Sequence, residues 1–353
     1  MIRKTTLMCM GAVLTAVVSV GLMSACSGGS AVSSQNHFLS LKDVKTNSGE
    51  GIDRWISSQY ALDFDGLKSF NEEYSNNVGS VWDSSLIDES RFKINVKLTN
   101  AEEKWAKANA RSLATHLERG SHFVHYLLVK LKEYDLPVEL MAIPIIESGL
   151  NPHVRSTAGA HGPWQFMRST GKSLGLERSS NYDELYDFVA TTDASLKYLK
   201  YLYEELEHNW DMVAAAYNQG EFGVKKAIRQ AKARGVTKFN VNTVKLTSSA
   251  RTYIKRFHAY SAMLRDPERF NLRLPDIKNR PAFQKVEVAG RLNSMKKAAE
   301  LSGTNLSTLK KLNAGFLSDN LNTRDGHALL VPSEKAYALE SALRNKQNKV
   351  AVN

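Results

Sequence analysis

The sequence predicts a mainly α-helical protein that ends in a small unit of two strands and two helices. Apolar residues recur at helical spacing from about residue 99 to 264, and capping signals open and close these segments. Two short strand patterns lie near the C-terminus. With 42% hydrophobic and 9% aromatic residues among 353, the chain has enough apolar surface to form a core and is not a disordered protein.

The first 25 residues have the pattern of a bacterial export signal. Arg3 and Lys4 precede a stretch from 7 to 23 without any charge, and small residues lead from it to Cys26. This ending resembles the lipobox of bacterial lipoproteins, whose cysteine becomes the lipid-modified first residue of the mature chain. The alternative is a membrane-spanning anchor, but glycines and serines interrupt the stretch. We therefore expect residues 1–25 to be a lipoprotein signal peptide and Cys26 to carry the lipid.

Two further segments precede the predicted helical body. Ser27, rather than Asp, follows Cys26, which predicts an outer-membrane lipoprotein facing the periplasm of a Gram-negative bacterium. Residues 26–50 are rich in Ser, Gly and Asn, and we expect a flexible tether with a reach of about 25–30 Å. Residues 51–98 hold short amphipathic pieces, which predict a helical N-terminal arm.

The chain is basic, with 47 Lys and Arg against 36 Asp and Glu and a formal charge of +11. Removal of the signal peptide takes away two basic residues and no acidic one, so the charge of the mature chain falls to +9. A basic surface favours an acidic partner, but export argues against nucleic acid. Both cysteines lie within the first 26 residues, so the body cannot hold a disulfide framework.

Residues 99–266 are predicted to form one helical domain. A capping-box pattern from Thr99 to Glu102 opens the first helix, and glycines or a proline close several of the others. The predicted helices run from 100 towards 120, from 121 onward, and over 138–148, 163–175, 192–208, 211–218, 224–234 and 248–264.

The C-terminal region predicts a linker and then a small mixed unit. Three prolines between 265 and 284 indicate the linker. Beyond it the pattern is strand, helix, helix, strand, a βααβ unit that we expect to occupy 283–335. Its expected bounds are 286–288 and 329–331 for the strands and 294–301 and 306–312 for the helices. Residues 336–353, with a basic cluster, are expected to be a tail.

Glu147 is the strongest candidate for catalysis. It follows four apolar residues at the C-terminal end of its predicted helix. Apolar surroundings and the negative end of the helix dipole both disfavour a carboxylate, so the pKa of Glu147 should rise. A carboxyl that stays protonated near neutral pH is what a general acid needs to cleave a glycosidic bond. The alternative is a Glu that is merely solvated at a helix end.

A glycine-punctuated turn follows and enters the next predicted helix. Its glycines allow the backbone to approach a ligand closely, while Trp164 offers an aromatic surface and Gln165 an amide. Burial in the core would also explain Trp164. Tyr217 and Asn218 end a later helix that is rich in alanine, where close helix packing is the alternative.

Together these motifs resemble those of a known enzyme family. In order and approximate spacing the chain is similar to the lysozyme-like lytic transglycosylases of glycoside hydrolase family 23, most of all to their membrane-bound transglycosylase D branch. The resemblance covers about residues 99–264 and implies a lysozyme-like helical domain of the goose-type and soluble lytic transglycosylase kind. The residues that carry it are Glu147, Ser148, Ser156, Gly162, Pro163, Trp164, Gln165, Ala216, Tyr217, Asn218 and Tyr253.

The resemblance implies a peptidoglycan lytic transglycosylase for cell-wall remodelling, which cleaves the MurNAc-β-1,4-GlcNAc bond and leaves 1,6-anhydroMurNAc ends. Glu147 would be the catalytic acid and base. Ser156 would orient Glu147 or contact the substrate, and Tyr253 would contact Glu147 or the developing charge. The implied substrate-binding residues are Ser156, Gly162, Trp164, Gln165, Tyr217, Asn218 and Tyr253.

The chain also departs from the family pattern. Pro163 and Arg168 replace residues that are usually apolar and Pro, and residues 219–221 replace a typical Ala-Gly-Pro, so we expect an altered cleft shape. The C-terminal unit resembles a divergent LysM-like module that lacks the usual Gly-Asp-Thr opening. It would either bind peptidoglycan or pack against the helical domain.

We expect no metal and no organic cofactor. His122 and His125 have a spacing found among zinc ligands, but no third ligand is placed to complete a site. The expected partners are peptidoglycan glycan strands and the outer membrane, and the chain is expected to be a monomer. Two alternatives stay open: a hydrolytic muramidase of the same fold, and a wall-binding lipoprotein without activity.

Overall fold

The structure is a computed structural model that describes residues 60–73, 78–322 and 326–351. The predicted signal peptide, the lipidation site Cys26 and the tether lie outside the described residues. Among the helices that are described, none is both long enough and apolar enough to cross a membrane.

The larger part of the described chain is helical, as predicted. Its α-helices are α1 (Phe64–Glu73), α2 (Asn100–Arg119), α3 (Ser121–Glu133), α4 (Ala142–Ser148), α5 (Arg168–Ser173), α6 (Phe188–Glu205), α7 (Trp210–Gln219), α8 (Glu221–Ala233) and α9 (Ser248–Arg265). The capping box at the start of α2 is confirmed, since Thr99 and Glu102 each accept a hydrogen bond from the backbone N–H of the other. Helix α6 begins earlier than predicted because the Asp187 side chain caps it.

Helix α9 lies at the centre of this part and packs against α2, α4 and α7. Its apolar stripe, which includes Ile254 and Phe257, is buried. Helix α3 is buried on all its sides along residues 123–131, including His125 and Lys130. Helices α3 and α9 therefore provide much of the buried surface against which the shorter elements pack.

The predicted helix over 163–175 is wrong in its first half. Strands β1 (Ala160–His161) and β2 (Phe166–Met167) form a small antiparallel hairpin there, and α5 starts only at Arg168. Pro163 lies in the turn of the hairpin rather than at a helix start. Strands of two residues are too short to show a period-2 pattern, which is why the sequence did not reveal them.

The described part of the predicted N-terminal arm has less helix than expected. It contains α1 and two single 3₁₀ turns, Val81–Asp83 and Glu89–Arg91. Helix α1 packs against the last helix of the chain, so this part of the arm connects the two ends of the described fold.

The C-terminal unit has the predicted strand, helix, helix, strand order. Strand β3 (Phe283–Val286) pairs with β4 (Leu329–Pro332) in antiparallel register, with Phe283 opposite Pro332 and Val286 opposite Leu329. Between them lie α10 (Met295–Ser302) and α11 (Leu306–Leu312).

The predicted tail requires a correction. Residues Ser333–Ala351 form a helix, α12, that starts at the end of β4. Ala336, Leu339 and Leu343 are buried on the face that packs against α1, α10 and β3. The spacing of these three residues is helical, so the sequence did contain the signal, and the basic residues beside it obscured that signal.

The C-terminal unit shares the core of the helical part. The Phe283 ring of β3 is fully buried, with its centroid 5.1 Å from that of Tyr60 and 5.5 Å from that of Tyr126. The predicted linker is also packed, since Phe270 and Ile277 are buried along it. Phe283 and Leu330 of the C-terminal unit thus join the core of the helical part, while the unit also has a second core of its own.

Candidate active site

Helix α4, which carries Glu147, has only seven residues, so packing against its neighbours stabilises it more than its own hydrogen bonds do. Residues 142–145 are buried, and Gly149 ends the helix with a left-handed backbone (φ 59°). A Cβ at Gly149 would overlap the ring of His116 on α2, so only glycine allows this close approach. Glu147 therefore lies in the last turn of a helix that is wedged against α2.

The carboxyl of Glu147 is half-buried and has one hydrogen-bond partner of known geometry. The Tyr253 hydroxyl, from α9, donates to its Oε1 at 2.8 Å. Burial raises the pKa of Glu147 to about 7, and the hydrogen bond from Tyr253 acts in the opposite direction. The predicted rise in pKa is confirmed, with loss of solvent as its main cause.

The hairpin of β1 and β2 is bound at two points to residues that surround this carboxyl. The Ser148 hydroxyl, next to Glu147 in the chain, donates to the Pro163 carbonyl at 2.8 Å. The Tyr217 hydroxyl, from α7, donates to the Trp164 carbonyl at 2.7 Å. The last turn of α4 and the end of α7 therefore fix where the hairpin sits.

Side chains within the hairpin are used mainly to shape it. The Ser156 hydroxyl accepts from the Ala160 backbone N–H at 2.9 Å. Gln165, itself in a left-handed conformation (φ 51°), donates from Nε2 to the carbonyls of Val154 at 3.1 Å and Gly162 at 2.8 Å. Ser156 and Gln165 thus hold the loop in shape, and the hydroxyl of Ser156 is engaged within the loop rather than with Glu147.

The expectation that Trp164 offers an aromatic surface to substrate is corrected. The side chain is 0% exposed, and its Nε1 donates to the Thr192 hydroxyl at 3.0 Å. The indole anchors the hairpin in the core, and only its backbone carbonyl reaches the site, where Tyr217 binds it.

The end of α7 supplies the remaining predicted residues. Burial and the nearby Glu147 raise the pKa of the half-buried Tyr217 phenol. Asn218 is exposed, and its Oδ1 accepts from the Ser249 hydroxyl at the start of α9 at 2.8 Å. The structure thus brings Glu147, Tyr253 and Tyr217 together, with Asn218 at the solvent side.

Comparison with known proteins agrees with this geometry. A family model described as the transglycosylase SLT domain matches residues 129–240, and one described as the LysM-like domain of lytic transglycosylase MltD matches residues 282–348. The chain therefore contains a transglycosylase SLT domain and an MltD-type LysM-like domain. The SLT match runs from α3 past α7 and includes Glu147, the hairpin and Tyr217, and the LysM-like match includes most of α12.

The chain is also similar to individual proteins named lytic transglycosylases. The chain is 31% identical over 75% of its length to membrane-bound lytic murein transglycosylase D of Escherichia coli strain K12, of which it spans 58%. It is 31% identical over 35% of its length to the soluble lytic murein transglycosylase of the same strain, of which it spans 20%. Among solved structures, the 70 kDa soluble lytic transglycosylase Slt70 of Escherichia coli is similar, with 20% identity, a TM-score of 0.32, and coverage of 65% of this chain and 44% of that one.

One exposed side chain of the hairpin was not singled out from sequence. Met167 on β2 is 46% exposed, two residues after Gln165, although nothing in its sequence context marks it. Within residues 60–73, 78–322 and 326–351, no group of three His, Cys, Asp or Glu side chains is placed to hold a metal ion. His125 instead lies against Tyr60, with its Nδ1 2.6 Å from the hydroxyl.

Proposed function

We propose that the chain cleaves the MurNAc-β-1,4-GlcNAc bond of peptidoglycan without hydrolysis and forms 1,6-anhydroMurNAc ends during cell-wall remodelling. The observation that carries this proposal is the environment of Glu147: a carboxyl with a pKa of about 7 beside a tyrosine hydroxyl. Hydrolytic glycosidases normally need a carboxylate pair, whereas an intramolecular hydroxyl nucleophile requires only one.

The reaction follows from one carboxyl used twice. Protonated Glu147 donates its proton to the glycosidic oxygen, and the bond between that oxygen and C1 of MurNAc breaks. The resulting carboxylate accepts the proton of the MurNAc C6 hydroxyl. At the same time the oxygen of that hydroxyl bonds to C1, which closes the anhydro ring. Glu147 ends protonated, as it began, and no water is consumed.

Tyr253 stabilises the ionised state of the acid. Its hydroxyl can donate to the carboxylate at the distance observed, which stabilises the charge that appears after proton transfer. Since Tyr253 is 5% exposed, this hydrogen bond competes with little water. We assign Glu147 as the catalytic acid and base and Tyr253 as the residue that orients it.

The other predicted site residues divide into two roles in this proposal. Tyr217 and Asn218 lie beside the acid and line the sugar-binding cleft together with Gln165. Ser156, Gly162 and Trp164 act on substrate through the hairpin they shape, as their hydrogen bonds and burial support.

We also propose where the enzyme works. The export pattern and Cys26 support a lipoprotein held at the outer membrane and facing the periplasm, and the name of the Escherichia coli relative describes that protein as membrane-bound. Its partner there would be the glycan strand, with the positive charge of the chain facing the carboxylates of peptidoglycan. We propose a monomer as the working unit.

The test is digestion of purified sacculi by the soluble chain, with mass spectrometry of the products. We expect 1,6-anhydromuropeptides from the wild type and none from Glu147→Gln, which keeps the shape of the side chain and removes its acid. Reducing-end MurNAc would identify a muramidase instead. Binding to sacculi without any product would identify a wall-binding protein, and an active Glu147→Gln variant would refute the assignment of the acid.

A further inference from the structure

The C-terminal LysM-like module forms hydrogen bonds and ring contacts with one segment of the catalytic part. That segment, residues 179–187, is called the bridge segment here. The Leu317 N–H donates to the Asn181 carbonyl at 2.9 Å, and the Asp183 N–H donates to the Gly315 carbonyl at 2.8 Å. The Asn181 side chain donates to the carbonyls of Asn320 and Asn322. The segment is thus held by backbone and side chain together.

Tyr182 of the bridge segment inserts its ring into the module. The ring stacks on His327 with a centroid distance of 3.7 Å and meets Phe316 edge-on at 4.8 Å. Gly315 lies so close that an added Cβ would come 2.5 Å from Cζ of Tyr182. Tyr182 is 5% exposed and packs with the apolar core of the module rather than with that of the helical part.

The other side of the bridge segment holds the active-site hairpin. A Cβ at Gly162, in the hairpin turn, would overlap the Leu185 carbonyl, so the two backbones are in direct contact. Arg168, at the end of the hairpin, forms a salt bridge of 2.8 Å with the buried carboxylate of Asp183. The Tyr186 hydroxyl lies 2.8 Å from Nδ1 of His161 on β1. Three residues of the bridge segment therefore fix three points of the hairpin.

The hairpin in turn contacts the surroundings of the acid. Its turn accepts hydrogen bonds from Ser148, the neighbour of Glu147, and from Tyr217. A continuous path of hydrogen bonds and van der Waals contacts thus runs from Gly315 through the bridge segment and the hairpin to the last turn of α4.

We propose that the LysM-like module positions the active-site hairpin, and that Asn181 and Tyr182 are the positioning residues through which it does so. This inference rests on the proposed function of the same site. The two strands of the hairpin have only two pairs of facing residues, so the hairpin depends on outside contacts for its shape. A displacement of about 1 Å at a catalytic site can reduce turnover by about a hundredfold, so a module far from the bond being cut can control its rate.

The test is a substitution that disturbs the contact without touching the site. Gly315→Ala pushes the Tyr182 ring away, and Gly79→Ala is the matched control because nothing lies within 4 Å of a Cβ there. We expect kcat on solubilised glycan strands to fall about tenfold or more in Gly315→Ala, with KM within about twofold of wild type. The basic limb of the pH profile should move to lower pH, since a loosened hairpin admits water to Glu147. A purely structural role would not separate kcat from KM in this way.

A second variant and a second measurement keep the result decisive. Asn181→Ala removes the side-chain hydrogen bonds to the module, and Asn109→Ala on α2 is its control. If Gly315→Ala does not fold, Asn181→Ala alone tests the positioning role. Hydrogen–deuterium exchange of residues 154–167 should accelerate in both test variants and in neither control, and this measurement needs no activity. Unchanged exchange in both test variants would overturn the positioning role. Accelerated exchange in a chain whose wild type forms no anhydro product would uphold the positioning of the hairpin and refute the proposed function instead.

Discussion

Glu147 is held between two opposing influences. Loss of solvent favours its protonated form, and the Tyr253 hydroxyl favours its ionised form. The balance leaves a pKa of about 7, near the pH at which a group can both give and accept a proton efficiently. The acid is therefore tuned by what surrounds the short helix α4.

The first prediction concerns pH. Because Glu147 must be protonated to start the reaction, kcat/KM should fall as pH rises through about 7. In Tyr253→Phe the hydrogen bond that favours the carboxylate is lost, so this limb should move to higher pH while the rate also drops. Tyr260→Phe, on the same helix, is the control and should leave the limb in place. Rates measured from pH 5 to 9 decide, and a limb that moves to lower pH in Tyr253→Phe would contradict the assignment.

The second prediction concerns stability. The pKa of Glu147 in the folded chain lies above that of an unfolded chain, so the folded state binds the proton more tightly. The free energy of unfolding should therefore decline as pH rises from about 4.5 through 7, relative to Glu147→Gln, which does not titrate. The pH-dependent loss of stability that the wild type shows and Glu147→Gln does not should be about 3 kcal/mol at pH 8 and close to zero near pH 4. Urea unfolding at the two pH values measures it, and a constant difference would argue against the raised pKa.

For single residues, the sequence predicted the chemical role better than the contacts that each side chain makes. The rise in the pKa of Glu147 could be predicted from its apolar neighbours in the chain, although burial in the folded protein is its cause. The partnership with Tyr253 is non-local and came only from the family resemblance. Trp164 shows the limit of sequence reasoning, because an aromatic residue beside glycines fits a ligand surface and a core anchor equally well until its burial is seen.

The hairpin of β1 and β2 is the element whose shape matters most to the site. It carries two glycines with positive φ, Gly159 at 85° and Gly162 at 74°. Nothing lies within 4 Å of a Cβ at Gly159, whereas a Cβ at Gly162 would overlap the Leu185 carbonyl. Both glycines thus have a positive φ, but only Gly162 also needs the absence of a side chain to allow a close contact.

This pair gives the third prediction. Gly159→Ala should cost about 1 kcal/mol of stability from backbone conformation alone. Gly162→Ala adds the clash with the bridge segment and should cost at least about 2 kcal/mol, with a larger loss of activity. Denaturant unfolding and glycan-cleavage rates of both variants test this. Equal effects of the two substitutions would mean that the contact with Leu185 does not hold the hairpin.

Long elements were more predictable than short ones. Helices α2 and α9 have capping residues and several turns of apolar periodicity, so their bounds were close to those observed. The hairpin is too short for a pattern. The grip of the module on Asn181 joins residues that are far apart in sequence, and no local rule finds such contacts.

At the scale of the whole described fold, the module and the catalytic part each place a residue in the core of the other. Phe283 of β3 fills space between Tyr60 and Tyr126, while Tyr182 of the bridge segment lies in the core of the module. Each part therefore completes the interior of the other.

The fourth prediction follows from this shared interior. Phe283→Ala should cost about 3–5 kcal/mol, and the catalytic part and the module should still unfold in one transition. Leu317→Ala, in the same module but 43% exposed, should change stability by less than about 0.5 kcal/mol. Thermal unfolding followed by tryptophan fluorescence and by far-UV circular dichroism tests this, and two separated transitions would show that the module folds independently.

The position of Phe283 also sets an order of events in time. A chain is synthesised from its N-terminus, and the segment that completes the interior around Tyr126 comes more than a hundred residues after Glu147. Strand β3 must then wait for β4 before it has its pairing partner. A nascent chain that already contains every residue of the site consequently lacks the support that shapes it. The candidate site therefore gains its full structural support only when synthesis has passed about residue 332.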